Sequence, residues 1–322
     1  WLPDLSQIQS YGKLNTYHFN CDATGNYCSF FIVLRCPRFL ILLCGLAVRK
    51  CFMREIQSIL YWENISVWSG QLEKIMPELF NASAIEKLKD FHLNFLTADD
   101  LSWAYKLLPS NFREGFDLLN ELTKRVLSNY THLRAYHGCR PKDLCSYHEF
   151  GIQPLNLETS QKKIYDFFRG STFTEITEKV IEHAIASVKT ESRVGRVFFE
   201  ANKKYLLTFC GHYVLYGSEY EVGVFRALSG EKEYVQELKK IGIPTLLECN
   251  VPLTFMTYND IRVLVSKMIE SYFSNKINND YSHADVGQYF GFAISHVLPS
   301  SLIEKITHPS NVRDPLLGSR SA

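Results

Sequence analysis

The feature that most restricts the fold is the alternation of short extended runs with helical runs after Tyr130. Runs of apolar, β-branched and aromatic residues predict short strands at 132–138, 196–199, 221–228, 245–251 and 290–297. Helices are predicted between or after them, beginning at Pro141 and spanning 174–188, 203–213, 258–273 and 299–306. This pattern predicts an α+β domain with a small split mixed sheet over residues 131–306.

The preceding segment, residues 54–130, has helical spacing. Leu72, Ile75 and Leu79 recur at three- and four-residue steps, and Pro77 is expected to stop or restart that helix. Thr97 is predicted to cap a later helix. Nothing in this segment indicates chemistry, so we expect a helical cap or a partner-docking segment.

Residues 1–53 have an atypical composition. Five of the nine cysteines lie there: Cys21, Cys28, Cys36, Cys44 and Cys51. The uninterrupted apolar run, 39–48, has ten residues, which is too short to cross a bilayer of roughly 30 Å as a helix. We therefore expect no stable membrane insertion and assign this segment no role. A membrane-associated hairpin is the alternative.

Overall composition favours a cytoplasmic protein without a metal. The formal net charge is +1, with 46% hydrophobic and 21% charged residues, so a sizeable core can form. The cysteines show no disulfide-module spacing, which fits a reducing compartment. His137, Cys139, Cys145 and His148 are close in sequence but lack a CxxC pair, so no zinc site is expected. The tail, 307–322, contains prolines and glycine and is predicted to be disordered.

Glycine-rich phosphate loops are absent from the sequence, which argues against Rossmann and P-loop cores. Instead, residues 136–140 read Tyr-His-Gly-Cys-Arg, followed by a helix and a Gly-Ile turn at 151–152. This arrangement resembles the first motif of ADP-ribosyltransferase-like domains, a group that includes poly(ADP-ribose) polymerases and tRNA 2′-phosphotransferases. Residues 197–213 are similar to the second segment of that family, and 294–303 to its final strand.

The resemblance implies NAD as a substrate and assigns roles to individual residues. His137 would contact a ribose, the Gly138 backbone would hold the nicotinamide amide, and Tyr213 would stack on the ring. Tyr205 is the second stacking candidate. Further cofactor-binding candidates are Tyr136, Arg140 and Ser218. The chemistry is reasonable, because a neutral histidine offers one donor and one acceptor and glycine permits close approach of a ligand.

One departure concerns the carboxylate. Transferases of the family carry a glutamate at the start of a late strand, where it stabilises positive charge on the ribose. Residues 288–292 read Gln-Tyr-Phe-Gly-Phe here. Glu219 or Glu248 would have to supply the catalytic carboxylate instead.

Three functions therefore stay open. The first is ADP-ribosyl transfer from NAD to a protein or nucleic acid, or NAD hydrolysis, as in toxins and defence effectors. The second is a catalytically inactive nucleotide- or partner-binding module of the same fold. The third is RNA 2′-phosphate transfer, which requires a basic groove; the available residues are Arg134, Arg140, Lys142 and Arg169.

Overall fold

The fold is built around one strand, β2 (His132–Cys139), in a computed structural model that describes residues 58–88, 96–112, 115–228, 234–277 and 289–317. The cysteine-rich segment 1–53 lies outside the described residues. The other strands are β1 (Ile59–Leu60), β3 (Val197–Glu200), β4 (Thr245–Pro252), β5 (Gly291–Ile294) and β6 (Ile303–Thr307). Together they form a six-stranded sheet of order β5-β3-β2-β4-β6, with β1 paired to β2 off this path.

The pairing of β2 is asymmetric. Along one edge it is antiparallel to β4 over all eight residues, from His132 opposite Pro252 to Cys139 opposite Thr245. Its other edge is shared, because β1 pairs in parallel with its first two residues and β3 pairs at Tyr136. The sheet is therefore mixed, and the expected α+β class is confirmed. The assignment to the ADP-ribosyltransferase-like fold stays a prediction.

Helices cover both faces of this sheet. In the described residues they are α1 (Ile65–Ile75), α2 (Ala82–Leu88), α3 (Ser102–Tyr105), α4 (Leu118–Asn129), α5 (Cys145–Phe150), α6 (Leu157–Arg169), α7 (Glu178–Ser187), α8 (Lys203–Phe209), α9 (His212–Tyr216), α10 (Glu219–Leu228) and α11 (Tyr258–Ile277). Side-chain caps fix several of their starts. Asp117 accepts a hydrogen bond from the Asn120 amide at 2.9 Å, and Asn156 accepts one from the Thr159 amide at 2.9 Å.

Neighbouring side chains of β2 point to opposite faces of the sheet, so this strand borders two different groups of buried residues. Leu133 and Ala135 are fully buried in the main core, which also takes in residues of α1, α4 and α11. Tyr136 lies on the other face, in a small cluster with Leu206 and Val214. The main core therefore crosses residue 130, and the expected division of the chain at that point stays a prediction. A separate core joins α6, α7, α9 and α10.

Several predicted elements are wrong. Residues 221–228 form helix α10 rather than a strand, because Tyr220, Val224 and Phe225 bury one helical face. Residues 299–306 form a 3-10 turn followed by strand β6, which pairs with β4. The predicted helix 203–213 is two helices, α8 and α9. At the junction, a side chain on Gly211 would collide with the Arg313 carbonyl oxygen.

Other helix boundaries also differ from the prediction. The helix expected from Pro141 begins at Cys145, and Thr97 does not cap a helix, because α3 starts at Ser102. Helix α6 was not predicted. The other strands, at 132–138, 196–199, 245–251 and 290–297, are confirmed within one to three residues at each end.

The tail was expected to be disordered, which is wrong for residues 308–317. The Arg313 amide donates to the Leu207 carbonyl at 3.0 Å. Asp314 accepts hydrogen bonds from the Tyr216 hydroxyl at 2.6 Å and from Lys239 Nζ at 2.5 Å. These contacts hold an otherwise polar segment against α8 and α9. Residues 318–322 lie outside the described part of the chain.

Replacing Gly151 with alanine should destabilise the fold. Gly151 ends α5 at φ 70° and ψ −156°, and an added Cβ would collide with the Leu298 carbonyl oxygen. The backbone conformation alone should cost about 1–3 kcal/mol, and the collision should add to this. Denaturant unfolding measures the change. The matched control, Gly70→Ala in α1, has open space around the new methyl and should gain about 1 kcal/mol. Equal stability of the two variants would contradict this prediction.

Candidate functional site

The His137 ring is anchored at one nitrogen. Its Nδ1 lies 2.9 Å from the Phe198 carbonyl oxygen, and its ring centroid is 5.6 Å from that of Phe199. A carbonyl oxygen only accepts hydrogen bonds, so Nδ1 must carry the proton. In the neutral ring, Nε2 then has a lone pair, and no hydrogen-bond partner of Nε2 occurs among the described residues.

Burial keeps this ring neutral. Desolvation lowers the pKa of His137 from its ordinary value, and the hydrogen bond to the Phe198 carbonyl opposes that shift only in part. The residue is nevertheless half-buried rather than sealed. His137 therefore carries a hydrogen-bond acceptor, Nε2, on a partly exposed side chain.

Gly138 does not leave open space for a ligand ring. A Cβ at this position would lie 2.9 Å from Tyr213 Cβ and 3.0 Å from Val214 Cγ2. The glycine therefore allows helix α9 to pack directly on β2. Because neighbouring side chains of a strand point to opposite faces, Tyr213 lies across the sheet from the His137 ring. The two side chains therefore do not face one common space, and stacking of Tyr213 on nicotinamide stays a prediction.

The structure does bring Tyr213 and Glu219 together. The Tyr213 hydroxyl donates to Glu219 Oε2 at 3.1 Å, and Arg193 Nη2 donates to Glu219 Oε1 at 2.8 Å. The Arg193 guanidinium is the main cause that lowers the pKa of Glu219. Burial raises the pKa of Tyr213. Glu219 is thus an ionised carboxylate whose charge is balanced by Arg193.

Glu248 is engaged in a similar way. It forms a short ion pair with Arg134 Nη1 and lies opposite Tyr136 in the β2–β4 register. The Tyr136 hydroxyl donates to Glu63 Oε2 at 2.6 Å, and burial raises the pKa of that hydroxyl. These groups occupy the face of β2 that His137 does not share. Glu248 and Tyr136 are therefore near each other and separated from the imidazole by the sheet.

The remaining candidates have contacts within the protein. Arg140 donates from Nε to the Ile241 carbonyl at 2.7 Å and from Nη2 to the Lys239 carbonyl. The Ser218 carbonyl accepts from the Val222 amide at 3.0 Å, in the first turn of α10. Tyr205 stacks on other aromatic rings, at 5.0 Å from Phe209. None of these contacts is with His137.

Three of the four residues expected to form the basic groove for RNA 2′-phosphate transfer have partners within the protein, and that function stays a prediction. Arg134 is paired with Glu248, Arg140 binds backbone carbonyls, and Arg169 is paired with Glu178 at 2.8 Å. These three guanidinium groups thus already have carboxylate or carbonyl partners within the protein.

A carboxylate that sequence reasoning missed is Glu221. Burial raises its pKa, with Lys163 opposing the shift, and no hydrogen bond or ion pair of its side chain occurs among the described residues. The buried Glu200 differs, because its Oε1 accepts from the Asn202 amide at 3.0 Å and the Phe290 amide at 2.8 Å. Glu200 therefore serves the backbone, whereas Glu221 is a partly buried carboxylate with no hydrogen bond or ion pair to the described residues.

Cys139 of β2 and Glu221 of α10 both act electrostatically on Tyr147 of α5. Cys139, two residues from His137 on the same face of β2, shares a hydrogen bond with the Tyr147 hydroxyl of α5. Burial raises the pKa of Tyr147, and Cys139 and Glu221 add to that effect. A helical interpretation of 219–228 would have revealed Glu221, because it falls on the same side of the helix as Val224, Phe225 and Leu228, where a carboxylate is unusual.

Comparisons with protein families, with curated proteins and with solved structures find no match for this chain. Among the described residues, no three His, Cys, Asp or Glu side chains are grouped so that they could hold a metal ion. The same part of the chain contains no helix with the length and apolar character needed to span a membrane.

His137 should be a neutral Nδ1–H tautomer at pH 7. Burial disfavours the imidazolium, so its pKa should fall below the ordinary value of about 6.5. Nitrogen and carbon NMR shifts of the imidazole report both tautomer and charge, and the His137→Gln variant assigns the resonance. Observation of an imidazolium at pH 7, or of the Nε2–H tautomer, would contradict the geometry described above.

Proposed function

We propose that this chain binds NAD at His137 and cleaves the bond between nicotinamide and ribose, passing the ADP-ribosyl group to a macromolecule or to water. The supporting observation is the anchored imidazole, whose Nδ1 is held by the Phe198 carbonyl while Nε2 has no hydrogen-bond partner among the described residues. The sequence resemblance to ADP-ribosyltransferase-like domains supplies the substrate class. The fold class is compatible with it.

The tautomer refines the expected role of His137. The donor at Nδ1 is used inside the protein, so only the acceptor at Nε2 is available to a ligand. A ribose hydroxyl is a donor of the required kind. The imidazole would thus orient the sugar by accepting one hydrogen bond, without bringing positive charge near the anomeric carbon.

Glu221 is the carboxylate that we assign to this reaction. Glu219 and Glu248 are neutralised by Arg193 and Arg134, so neither offers an unbalanced negative charge. When the glycosidic bond breaks, nicotinamide leaves with the electron pair and positive charge develops on the ribose. An ionised Glu221 would stabilise that charge, and the nucleophile that adds to the anomeric carbon gives up its proton.

The second candidate is a module that binds a nucleotide without turnover. The observation in its favour is that both carboxylates predicted from the sequence are held in ion pairs with arginine. The two functions separate on one point, since both require NAD binding and only the first requires nicotinamide release.

His137→Ala and Glu221→Gln should each lower nicotinamide release from NAD. The loss should be about 100-fold or more for either residue, which is typical of removing a group that contacts the reacting sugar. Activity of the wild-type protein should rise with pH, because Glu221 has a raised pKa and acts when ionised. Chromatography of released nicotinamide measures turnover, and calorimetry measures binding.

Matched controls use exposed residues of the same types. His183→Ala in α7 and Glu191→Gln in the turn before β3 should keep wild-type turnover. Saturable NAD binding without nicotinamide release would favour the non-catalytic module. Absence of NAD binding in the wild-type protein would exclude both functions.

A further inference from the structure

Helix α8 contributes two rings, Tyr205 and Phe209, to a row of three aromatic side chains at the surface. The Tyr205 ring lies between two others, with centroid distances of 5.0 Å to Phe209 and 4.8 Å to Tyr289. The interplanar angles are 25° and 21°, so the three rings are nearly parallel. Phe209 is 41% exposed and Tyr289 47% exposed. A water-exposed stack of large rings is unusual for a surface that has no binding role.

Cations stand at both ends of this row. Arg313 Cζ lies 5.7 Å from the Phe209 ring centroid, and Lys267 Nζ lies 4.4 Å from that of Tyr289. The arrangement places positive charge next to each terminal ring while leaving part of the ring in water. Aromatic faces and cations thus alternate along one side of the molecule.

A cleft adjoins the row on the same helix. Its volume is about 380 Å³, and it is lined by Glu63, Lys203, Lys204, Leu207, Thr208 and Asn311. Lys203 and Leu207 are one helical turn apart, as are Tyr205 and Phe209, so the cleft and the ring row occupy neighbouring faces of α8. The single carboxylate among these residues, Glu63, already accepts from the Tyr136 hydroxyl and the Lys203 amide.

The position of this surface is fixed by the backbone. Asn202 caps α8 by accepting from the Tyr205 amide at 2.9 Å. The Arg313 amide binds the Leu207 carbonyl at 3.0 Å, which holds the residue 308–317 segment beside the helix. These contacts hold Tyr205, Phe209 and Arg313 in place, so binding would not have to order the backbone of these three residues first.

We propose that this surface binds single-stranded nucleic acid. Bases would stack at the ring row formed by Tyr205, Phe209 and Tyr289, and phosphates would lie near the four cations, Lys203, Lys204, Lys267 and Arg313. Stacking tolerates every base because each has a π face, so little sequence preference is expected. A duplex hides its base faces and offers only phosphates. The surface shares no residue with the His137 site, and the proposal does not depend on NAD cleavage.

The test is fluorescence anisotropy with labelled 12-nucleotide oligo(U), oligo(dT) and a 12-base-pair duplex, at several KCl concentrations. The wild-type chain should bind the single strands at least tenfold more tightly than the duplex. Tyr205→Ala/Phe209→Ala should weaken single-strand binding by roughly tenfold or more, given the contribution of one stacked base. The control Tyr258→Ala removes an exposed tyrosine in α11 and should leave affinity unchanged.

The charge contribution is tested separately, with variants that leave the rings and the core intact. Lys203→Gln/Lys204→Gln should make the dependence of log affinity on log salt shallower by about 1.4, since each phosphate contact to a single strand contributes about 0.7. Lys162→Gln/Lys179→Gln, on exposed sites of α6 and α7, should not change the slope.

Four outcomes would overturn the proposal. They are equal affinity for duplex and single strand, wild-type affinity in the ring variant, an unchanged salt slope in the lysine variant, and polyglutamate binding as tight as oligo(U) binding. The last result would assign the surface to acidic polypeptides. A preference between oligo(U) and oligo(dT) would instead distinguish RNA from DNA as the ligand.

Discussion

The eight-residue ladder between β2 and β4 is the constraint on which the rest of the structure depends. It fixes which side chains of β2 face the main core and which face α8 and α9. His137 follows Leu133 and Ala135 onto the first face, while Tyr136 and Gly138 lie on the second. A shift of one residue would exchange the two sets, so the same pairing that buries the core also decides what surrounds the imidazole.

Charge balance then decides which carboxylates are available for chemistry. Glu219 and Glu248 have arginine partners, and the buried Glu200 serves backbone amides. Each of these carboxylates stabilises the fold through its partner. If the carboxylate moved to a ligand, the arginine or the backbone amide would lose that partner. Glu221 has no such partner among the described residues. We therefore propose His137 and Glu221 for the site; Glu221 and Cys139, which lies on the strand of His137, both act electrostatically on Tyr147.

Much of the fold could be predicted from local patterns, whereas the partners of the site residues could not. The strand at 245–251 was evident because it follows the Gly-Ile-Pro turn at 242–244, and α10 was missed because Tyr, Val and Phe also favour strands. Alternation along β2 places residues 137 and 138 on opposite faces of the sheet, but the sequence does not show which face α9 covers. The separation of His137 from Tyr213 could therefore not be predicted. The partner of Glu219 is Arg193, 26 residues away, and no local pattern indicates that pair.

Nitrogen NMR of the labelled His137 imidazole during an NAD titration tests the central claim most directly. Our account predicts that the Nε2 resonance shifts with saturable dependence on NAD concentration, while Nδ1 keeps the shift of a ring bonded to the Phe198 carbonyl. An Nε2 resonance that stays unchanged throughout the NAD titration would contradict it.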